Sequence, residues 1–347
     1  MAVPFRKPRF KYSYTLETEK QHFDQFFSDP NRAIPKKKKH EIDLATWNIA
    51  NLGVQTRTTK ELKLIAYILS HFDIIAVQEV NEDLGHFYKV MADPALNGFD
   101  YVLTDTAGNQ ERFAVIYRTD TIEPKQLFAE LDYNPTGKVV NNQYIIEPKR
   151  QSFTHQGQKL EIDFYNFNRN PFLSTWKVKN RNTSFLLANA HIYYGDDVFG
   201  AAKLNNRIAE VYFLADWARL QQKKAGSKKL YEPNMLLIGD MNIPKMSSDD
   251  PVYRALKRRG MAPSRYSTEA GTTIQEFNHY DQIVFTNQKL KVVEIKNQTA
   301  VVVDYDNFLF KDLWKQVEDK KRTLTQFKAW CRWAISDHRP MFVRLKV

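Results

Sequence analysis

A mixed-sheet α/β fold is predicted by three features of this 347-residue chain. Six short apolar runs each carry a lone polar residue at one end. Asn48 follows the run 44–47, Glu79 follows 74–78, His191 follows 185–190 and Asp240 follows 235–239. Asp281 precedes 282–285, and Asp337 with His338 precedes 339–345. Runs of this length read as buried strands. Four runs end at their polar residue and two begin there. If all six share one edge, strands of both directions must be present, which argues for a mixed or antiparallel system rather than a doubly wound parallel sheet. Helical stripes between the runs supply the α component.

Taken in order, residues 1–40 read as a basic, aromatic N-terminal extension with a short helical candidate at 18–27. Its Lys36–Lys39 run could grip phosphates, but a solvated linker is the commoner reading of a charge run. The catalytic domain is expected to begin near Glu41 and to continue to residue 347. The segment Lys60–His71 places Leu62, Ile65, Ala66 and Leu69 at helical spacing and predicts an amphipathic helix. With Ile74–Gln78 it completes a strand–helix–strand passage. Phe113–Arg118 predicts another strand. Residues 131–160 are polar and turn-rich and read as an insertion. Ala201–Leu220 predicts a long helix with Ile208, Val211, Ala215 and Ala218 on one face. Residues 300–334 hold Trp314, Trp330 and Trp333 and read as a helical insertion, its aromatics core residues ahead of a base-stacking platform. No internal repeat or low-complexity tract is present.

Hydrophobic content of 43% with 13% aromatic residues marks a globular chain. Lys and Arg number 51 against 40 Asp and Glu, a formal net charge of +11. A carboxylate-rich cleft within a basic protein suggests a polyanionic substrate, which the surface attracts and the cleft alone repels. Cys331 is the only cysteine, so neither a disulfide framework nor a multi-thiolate metal site is available. The N-terminus lacks an apolar leader and no stretch is long enough to span a bilayer. A cytoplasmic location is the expectation.

Phosphoester hydrolysis needs a divalent cation, an activated water, stabilisation of developing charge and a protonated leaving group. Mg²⁺ takes oxygen ligands and keeps several waters, so a few carboxylates and amides suffice. Asn48, Glu79, Asp240, Asn242 and Asp337 can supply them. One residue separates Asp240 from Asn242, so on an extended chain both project to the same side. Either could hold a metal or orient water while the other binds a phosphate oxygen. Asp337 and His338 are adjacent and can serve one site only where strand gives way to loop. His191 and His338 are the candidate proton handlers. Each needs an acid to fix its tautomer, and Glu111 and Asp281 are available.

As an ordered set, the segments 47–49, 77–80, 190–192, 239–242, 280–284 and 336–340 resemble the motifs of the endonuclease/exonuclease/phosphatase superfamily. The resemblance covers about residues 41–347 and implies a four-layer α/β sandwich, two packed mixed β-sheets flanked by helices. Within it, the DNase I branch is the nearest in look. Residues 110–113 resemble the segment whose Glu pairs with the first catalytic His, and 168–171 one whose Arg contacts the scissile phosphate. The resemblance therefore implies that Glu111 orients His191, Asp281 orients His338, and Arg169, Asn242 and Arg112 contact substrate. It makes Glu79 the principal ligand of Mg²⁺ or Mn²⁺, helped by Asn48, Asp240, Asn242 and Asp337. A His at position 191 argues against the abasic-site endonucleases. Against secreted DNases stand the absent leader and disulfide, and Asn170 where that branch tends to carry an acid.

The expected activity is a metal-dependent phosphodiesterase, an endonuclease on DNA ahead of RNA. A phosphatase or lipid phosphodiesterase acting on inositol phosphates or sphingomyelin is the alternative. A non-catalytic binder of the same fold is a third reading. Nucleic acid is the expected partner, and residues 1–40 or 300–334 offer surfaces for a protein partner.

Overall fold

The computed structural model describes residues 4–9, 12–133, 137–195, 197–223, 232–267, 270–274, 277–286, 290–313 and 320–347. Trp314 lies outside them. The strands, in chain order, are β1 (Glu41–Leu52), β2 (Ile74–Asn81), β3 (Phe99–Leu103), β4 (Glu111–Arg118), β5 (Ile122–Glu130), β6 (Gly137–Val140), β7 (Gln143–Ile146), β8 (Lys149–His155), β9 (Gln158–Phe164), β10 (Phe172–Val178), β11 (Ser184–His191), β12 (Met235–Asp240), β13 (Ala262–Pro263), β14 (Asp281–Phe285), β15 (Lys291–Val292), β16 (Val301–Val302) and β17 (Met341–Lys346). The α-helices are α1 (Leu16–Ser28), α2 (Thr59–Leu69), α3 (Gly85–Met91), α4 (Ala202–Lys223), α5 (Pro251–Lys257) and α6 (Lys320–Ala334).

Two mixed sheets carry the fold. The first has the order β15-β17-β1-β2-β4-β3, with β16 also on β17; the second runs β13-β14-β12-β11-β10-β5. Among the described strands only β1–β2 and β11–β12 pair in parallel. The side-chain alternation of each strand assigns its two faces. Ile42 and Leu44 meet Leu187, Leu236 and Ile238 between the sheets. Ala45, Trp47 and Ile49 face the opposite way, into a core shared with α1, α2 and α6. Leu186, Ala188 and Leu237 pack outward against α4 and α5. The result is four layers: helices, sheet, sheet, helices.

The predicted helix at 60–71 forms as α2, closed at its N-terminus by a Thr58/Glu61 capping box. Residues 131–160 form more than a polar excursion: β6–β7 and β8–β9 are two antiparallel hairpins. Among the described residues of the insertion at 300–334, β16 pairs with β17 and a 3₁₀ turn follows at Tyr305–Asn307 before α6 begins. Trp330 and Trp333 are buried in the helical core.

Within residues 1–40, α1 and the tyrosines before it pack into that core. Phe23 and Phe26 of α1 are fully buried, and Phe26 packs edge-on to Phe308 at 5.6 Å between centroids. Tyr12 and Tyr14 contact Phe310 and Trp330. Lys37 of the basic run is tied to Asp73 at 2.7 Å.

Gly239 shows how tightly the active edge is built. Its φ is +129°, and a Cβ there would lie 2.0 Å from the Ala190 carbonyl oxygen of the neighbouring strand. Only glycine lets β12 approach β11 where Asp240 must emerge. Gly239→Ala is expected to lower stability by roughly 3 kcal/mol or more, since it adds a backbone clash to an unfavourable φ. Urea melts check this; a loss under about 0.5 kcal/mol, typical of surface changes, would overturn it.

Candidate active site

The functional side chains converge at one edge of the sandwich because the chain leaves its regular ladders there. The β1–β2 and β2–β4 registers shift between Asn48 and Leu52 and between Val77 and Val80. Glu79 sits in that break with φ +61°. A bulge of this kind re-aims a side chain, and the strain it stores is typical of functional positions. Asn242, at φ +48°, turns the chain just beyond β12. Asp337 and His338 lie in the connection before β17, which lets adjacent residues serve one site, as the sequence required.

Beneath this edge a buried polar network joins the sheets. Gln78 Nε2 donates to Asn189 Oδ1 at 2.6 Å, and Asn189 Nδ2 donates to the carbonyls of Val77 and Ala114, both at 3.3 Å. Every link crosses between elements that carry a site residue. The network therefore fixes the offset of one sheet against the other.

Asp240 is the centre of the site. Its Oδ2 lies 3.5 Å from His191 Nε2 and 3.6 Å from His338 Nε2, and accepts from Asn48 Nδ2 at 3.0 Å. Its Oδ1 accepts from the Asn242 backbone N–H at 3.0 Å. Each imidazole is backed by a second acid. His338 Nδ1 hydrogen-bonds Asp281 Oδ2 at 2.7 Å. His191 Nδ1 stands 2.9 Å from Glu111 Oε2, at ion-pair distance but out of line for a well-directed hydrogen bond.

Burial is the largest influence on all of these groups, and neighbouring charges decide which way each moves. Burial pulls His338 down, but Asp281, Asp240 and Asp337 together raise it well above the ordinary imidazole value. For His191, burial and Arg169 both pull down, and Glu111 and Asp240 still leave it raised. Burial pushes Asp240 up, but the two imidazoles and its hydrogen bonds hold it below the usual carboxylate range. Glu79 is the contrary case. Burial raises it, Glu111 and Asp337 add to the rise, and His191 with Asn48 oppose it only in part.

The residues suit a hard divalent cation. Glu79 Oε1 accepts from Asn48 Nδ2 and its Oε2 from the Asn51 N–H, both at 2.8 Å. Asn48 Oδ1 is buried and has no hydrogen-bond partner among the described residues. A buried carbonyl oxygen beside an unneutralised carboxylate is the donor chemistry Mg²⁺ takes. Glu79, Asn48 and the half-buried Asp337 would hold such an ion. Asp240 and Asn242, also expected as ligands, lie in the same cavity and are hydrogen-bonded within the protein: Asn242 Nδ2 donates to the Ile192 carbonyl at 2.7 Å. Among the described residues no three His, Cys, Asp or Glu side chains form a metal cage by themselves.

One expectation for the arginines changes, that for Arg112. Arg112 donates from Nη1 to Asp105 Oδ1 and the Thr104 carbonyl, both at 3.0 Å, and does not line the catalytic cavity. Strand alternation puts it on the face opposite Glu111. Arg169 does line the cavity, but Nε donates to the His191 carbonyl at 2.9 Å, Nη2 to the Ile192 carbonyl at 3.1 Å and Nη1 to Glu111 at 3.1 Å. Its observed contacts hold His191 and Glu111 in place.

Several contributors escaped the sequence reading. Tyr193, Tyr194, Thr273, Asn278, Tyr280 and Arg332 help line the cavity of about 490 Å³. A larger cavity, about 670 Å³, lies against α1 and α6 and contains none of the converging imidazoles. Ser336 Oγ donates to the Asn48 carbonyl at 2.7 Å and accepts from the N–H groups of Ala50 and His338, both at 3.1 Å. Glu210 of α4 accepts from the Asn168 N–H through Oε1 and from the Tyr193 N–H through Oε2, both at 2.8 Å. It thereby clamps the two segments that present Arg169 and His191. A lone acid beside Ala209 and Val211 on a buried helix was the available signal.

Burial pushes Glu210 up to about 7, against the pull of those two N–H groups. Its folded value exceeds the unfolded 4.5, so its stabilising contribution is present below about pH 4.5 and is lost as pH rises through 7. That difference corresponds to roughly 3 kcal/mol. Glu210→Gln is expected to remove this pH slope in urea melts between pH 5 and 8. It should also cost about tenfold in turnover, because its amide cannot accept both N–H groups. A variant with the slope and turnover of the wild type would sink this role.

Two mixed sheets packed face to face, with two acid-backed imidazoles about one carboxylate at their shared edge, define the class of four-layer α/β phosphoryl hydrolases. Residues 45–338 match the Endonuclease/Exonuclease/phosphatase family, and the chain belongs to it. The family's members are phosphoric-ester hydrolases and generally use divalent metals. Solved structures of similar fold include the mannosyl-6-phosphatase of Bacteroides thetaiotaomicron, 15% identical with a TM-score of 0.50, covering 88% of this chain and 99% of that one. The human Nocturnin catalytic domain with bound sulfate anion is 15% identical, TM-score 0.50, covering 89% and 95%. An endonuclease/exonuclease/phosphatase from Bacteroides vulgatus is 16% identical, TM-score 0.50, covering 89% and 100%. No curated protein sequence matches the chain. Among the described residues no helix is long and apolar enough to cross a membrane.

Proposed function

We propose that this chain is a divalent-metal-dependent phosphodiesterase that cleaves nucleic acid, DNA ahead of RNA, as an endonuclease. The observation that carries the reading is the pair of imidazole Nε2 atoms within 3.6 Å of one Asp240 oxygen, each ring backed by its own acid. Two proton carriers flanking one point suit in-line displacement at phosphorus. Water attacks the phosphorus as its proton passes to His191 Nε2. The bond to the leaving oxygen breaks, and His338 Nε2 delivers its proton there. His338 takes the donor's part because Asp281, Asp240 and Asp337 hold it protonated more firmly than His191, which Arg169 opposes. A divalent cation, Mg²⁺ or Mn²⁺, held by Glu79, Asn48 and Asp337 would neutralise charge on the phosphoryl oxygens. Asn242 lines the cavity beside the two imidazoles, and its Nδ2 keeps one N–H beyond the bond to the Ile192 carbonyl that can face those oxygens. The net charge of +11 supports a polyanionic substrate, and the lone buried Cys331 is consistent with a reducing, cytoplasmic setting.

A small phosphate monoester or lipid headgroup is the second reading, favoured by the size of the cavity. About 490 Å³, bordered by Tyr193, Tyr194 and Tyr280, is within the range of small-molecule sites. A panel of plasmid, single-stranded DNA, RNA, inositol phosphates, a sugar phosphate and sphingomyelin, with Mg²⁺ or EDTA, separates the readings. Metal-dependent nicking of plasmid that is absent from His338→Ala is the expected result. Turnover confined to the small esters would reject the nuclease reading.

A further inference from the structure

A second cavity, of about 500 Å³, lies between the β8–β9 hairpin and α5 and contains none of the catalytic groups. Arg254 and Lys257 of α5, Arg258 just beyond it, His155 at the end of β8 and Phe199 line its wall. No carboxylate is among its described lining residues. The catalytic cavity, of nearly the same size, is lined by Glu79, Glu111, Asp240 and Asp337. Arg254 and Lys257 are exposed, and neither is ion-paired among the described residues. Arg258 is held in place: its Nη1 donates to the Ser152 carbonyl at 2.6 Å, and its guanidinium lies 5.5 Å from the Phe153 ring centroid. His155 Nδ1 is buried without a hydrogen-bond partner among the described residues.

Three cations around one concavity repel each other when nothing neutralises them, and an anion there relieves the repulsion. Arginine forks and an imidazole N–H match phosphate oxygens, and lysine adds a point charge. The two cavities are also linked by chain. The connection from β11 to α4 presents Tyr193 and Tyr194 to the catalytic cavity and Phe199 to the basic one.

We propose that this basic cavity anchors a phosphate group of the polynucleotide substrate, away from the phosphodiester that is cleaved. The inference rests on the nuclease reading and adds a position for the substrate backbone. The anchored phosphate sits among Arg254, Lys257, Arg258 and His155, and Phe199 gives the adjoining sugar an apolar wall.

The test is fluorescence anisotropy of a labelled single-stranded oligonucleotide in EDTA, read across a salt series. The wild type is compared with Arg254→Glu/Lys257→Glu and with Lys177→Glu, a charge reversal at the far end of β10. Losing the one anchored phosphate should lower the log–log salt slope by about 0.7 and weaken binding roughly fivefold near 0.1 M salt. Lys177→Glu should bind as the wild type does. If the double variant fails to fold, Arg254→Gln/Lys257→Gln should show the same loss of slope. An unchanged slope and affinity in the folded double variant overturns the anchoring site and leaves the nuclease reading standing. A wild type that binds no oligonucleotide overturns both.

Discussion

His338→Ala is expected to lose about two or more orders of magnitude in turnover, and His191→Ala a comparable factor. The ground is geometric. Each ring joins an outer acid to the central Asp240 on its side of the site: Asp281 through His338, Glu111 through His191. Removing His338 leaves Asp281, fully buried, without its strongest partner. Asp281 is already raised by burial and by Asp240, so it can take up a proton rather than remain a bare buried charge, which limits the cost to the fold. Turnover is therefore compared at matched folded fraction, established by circular dichroism. Wild-type-like cleavage by both variants would refute the assignment of the two histidines.

The pH profile tests the same assignment independently. Apart from burial, which opposes it, Asp281 is the first cause of the raised His338 value. A raised His keeps its proton above the ordinary 6.5. The stability it contributes is full below that value and is lost as pH rises through the folded one. A proton donor of this kind stays loaded through neutrality, so the alkaline limb of kcat should lie well above pH 6.5. Asp281→Asn should move that limb acidward, because the charge that raises His338 most is gone. If the limb stays in place, Asp281 does not govern the donor.

Much of this site was legible because catalysis places its groups where strands stop. Asn48, Glu79, His191, Asp240, Asp281 and the pair 337–338 were found as polar residues ending apolar runs. The structure brings all of them to one edge. The opposed directions of those runs also required the mixed sheets now seen. What stayed hidden depended on partners remote in sequence. The membership of α1 in the core is decided by Phe308, Phe310 and Trp330 at the other end of the chain. No local pattern in residues 1–40 can show that. Arg112 is different in kind. The resemblance put it on the substrate, but alternation along β4 turns it to the face opposite Glu111, and the structure pairs it with Asp105. Glu210 and Ser336 act by holding backbone rather than by meeting substrate, and such roles appear only once loops have positions.

Glu79→Gln should separate function from stability. Glu79 is the half-buried carboxylate of the would-be cation site and is raised above its ordinary value, first by desolvation and then by Glu111 and Asp337. In the metal-free protein its ionised form is therefore a cost, which grows as pH rises from the unfolded value of 4.5 toward the folded one. The amide removes that cost. Its oxygen can keep one of the two N–H groups that Glu79 accepts, from Asn48 Nδ2 or the Asn51 backbone. Without metal at pH 8 the variant should melt at or above the wild-type temperature. With the cation the order should reverse. Wild-type Tm should climb with Mg²⁺ or Mn²⁺ concentration as binding to the folded state requires, and the variant's should stay flat. Turnover should fall by roughly 10²-fold or more, since metal-borne charge stabilisation is worth several kcal/mol. A variant that keeps its metal-dependent Tm rise would show that Glu79 is not the principal ligand. One that loses activity only through loss of fold would return Glu79 to a structural role.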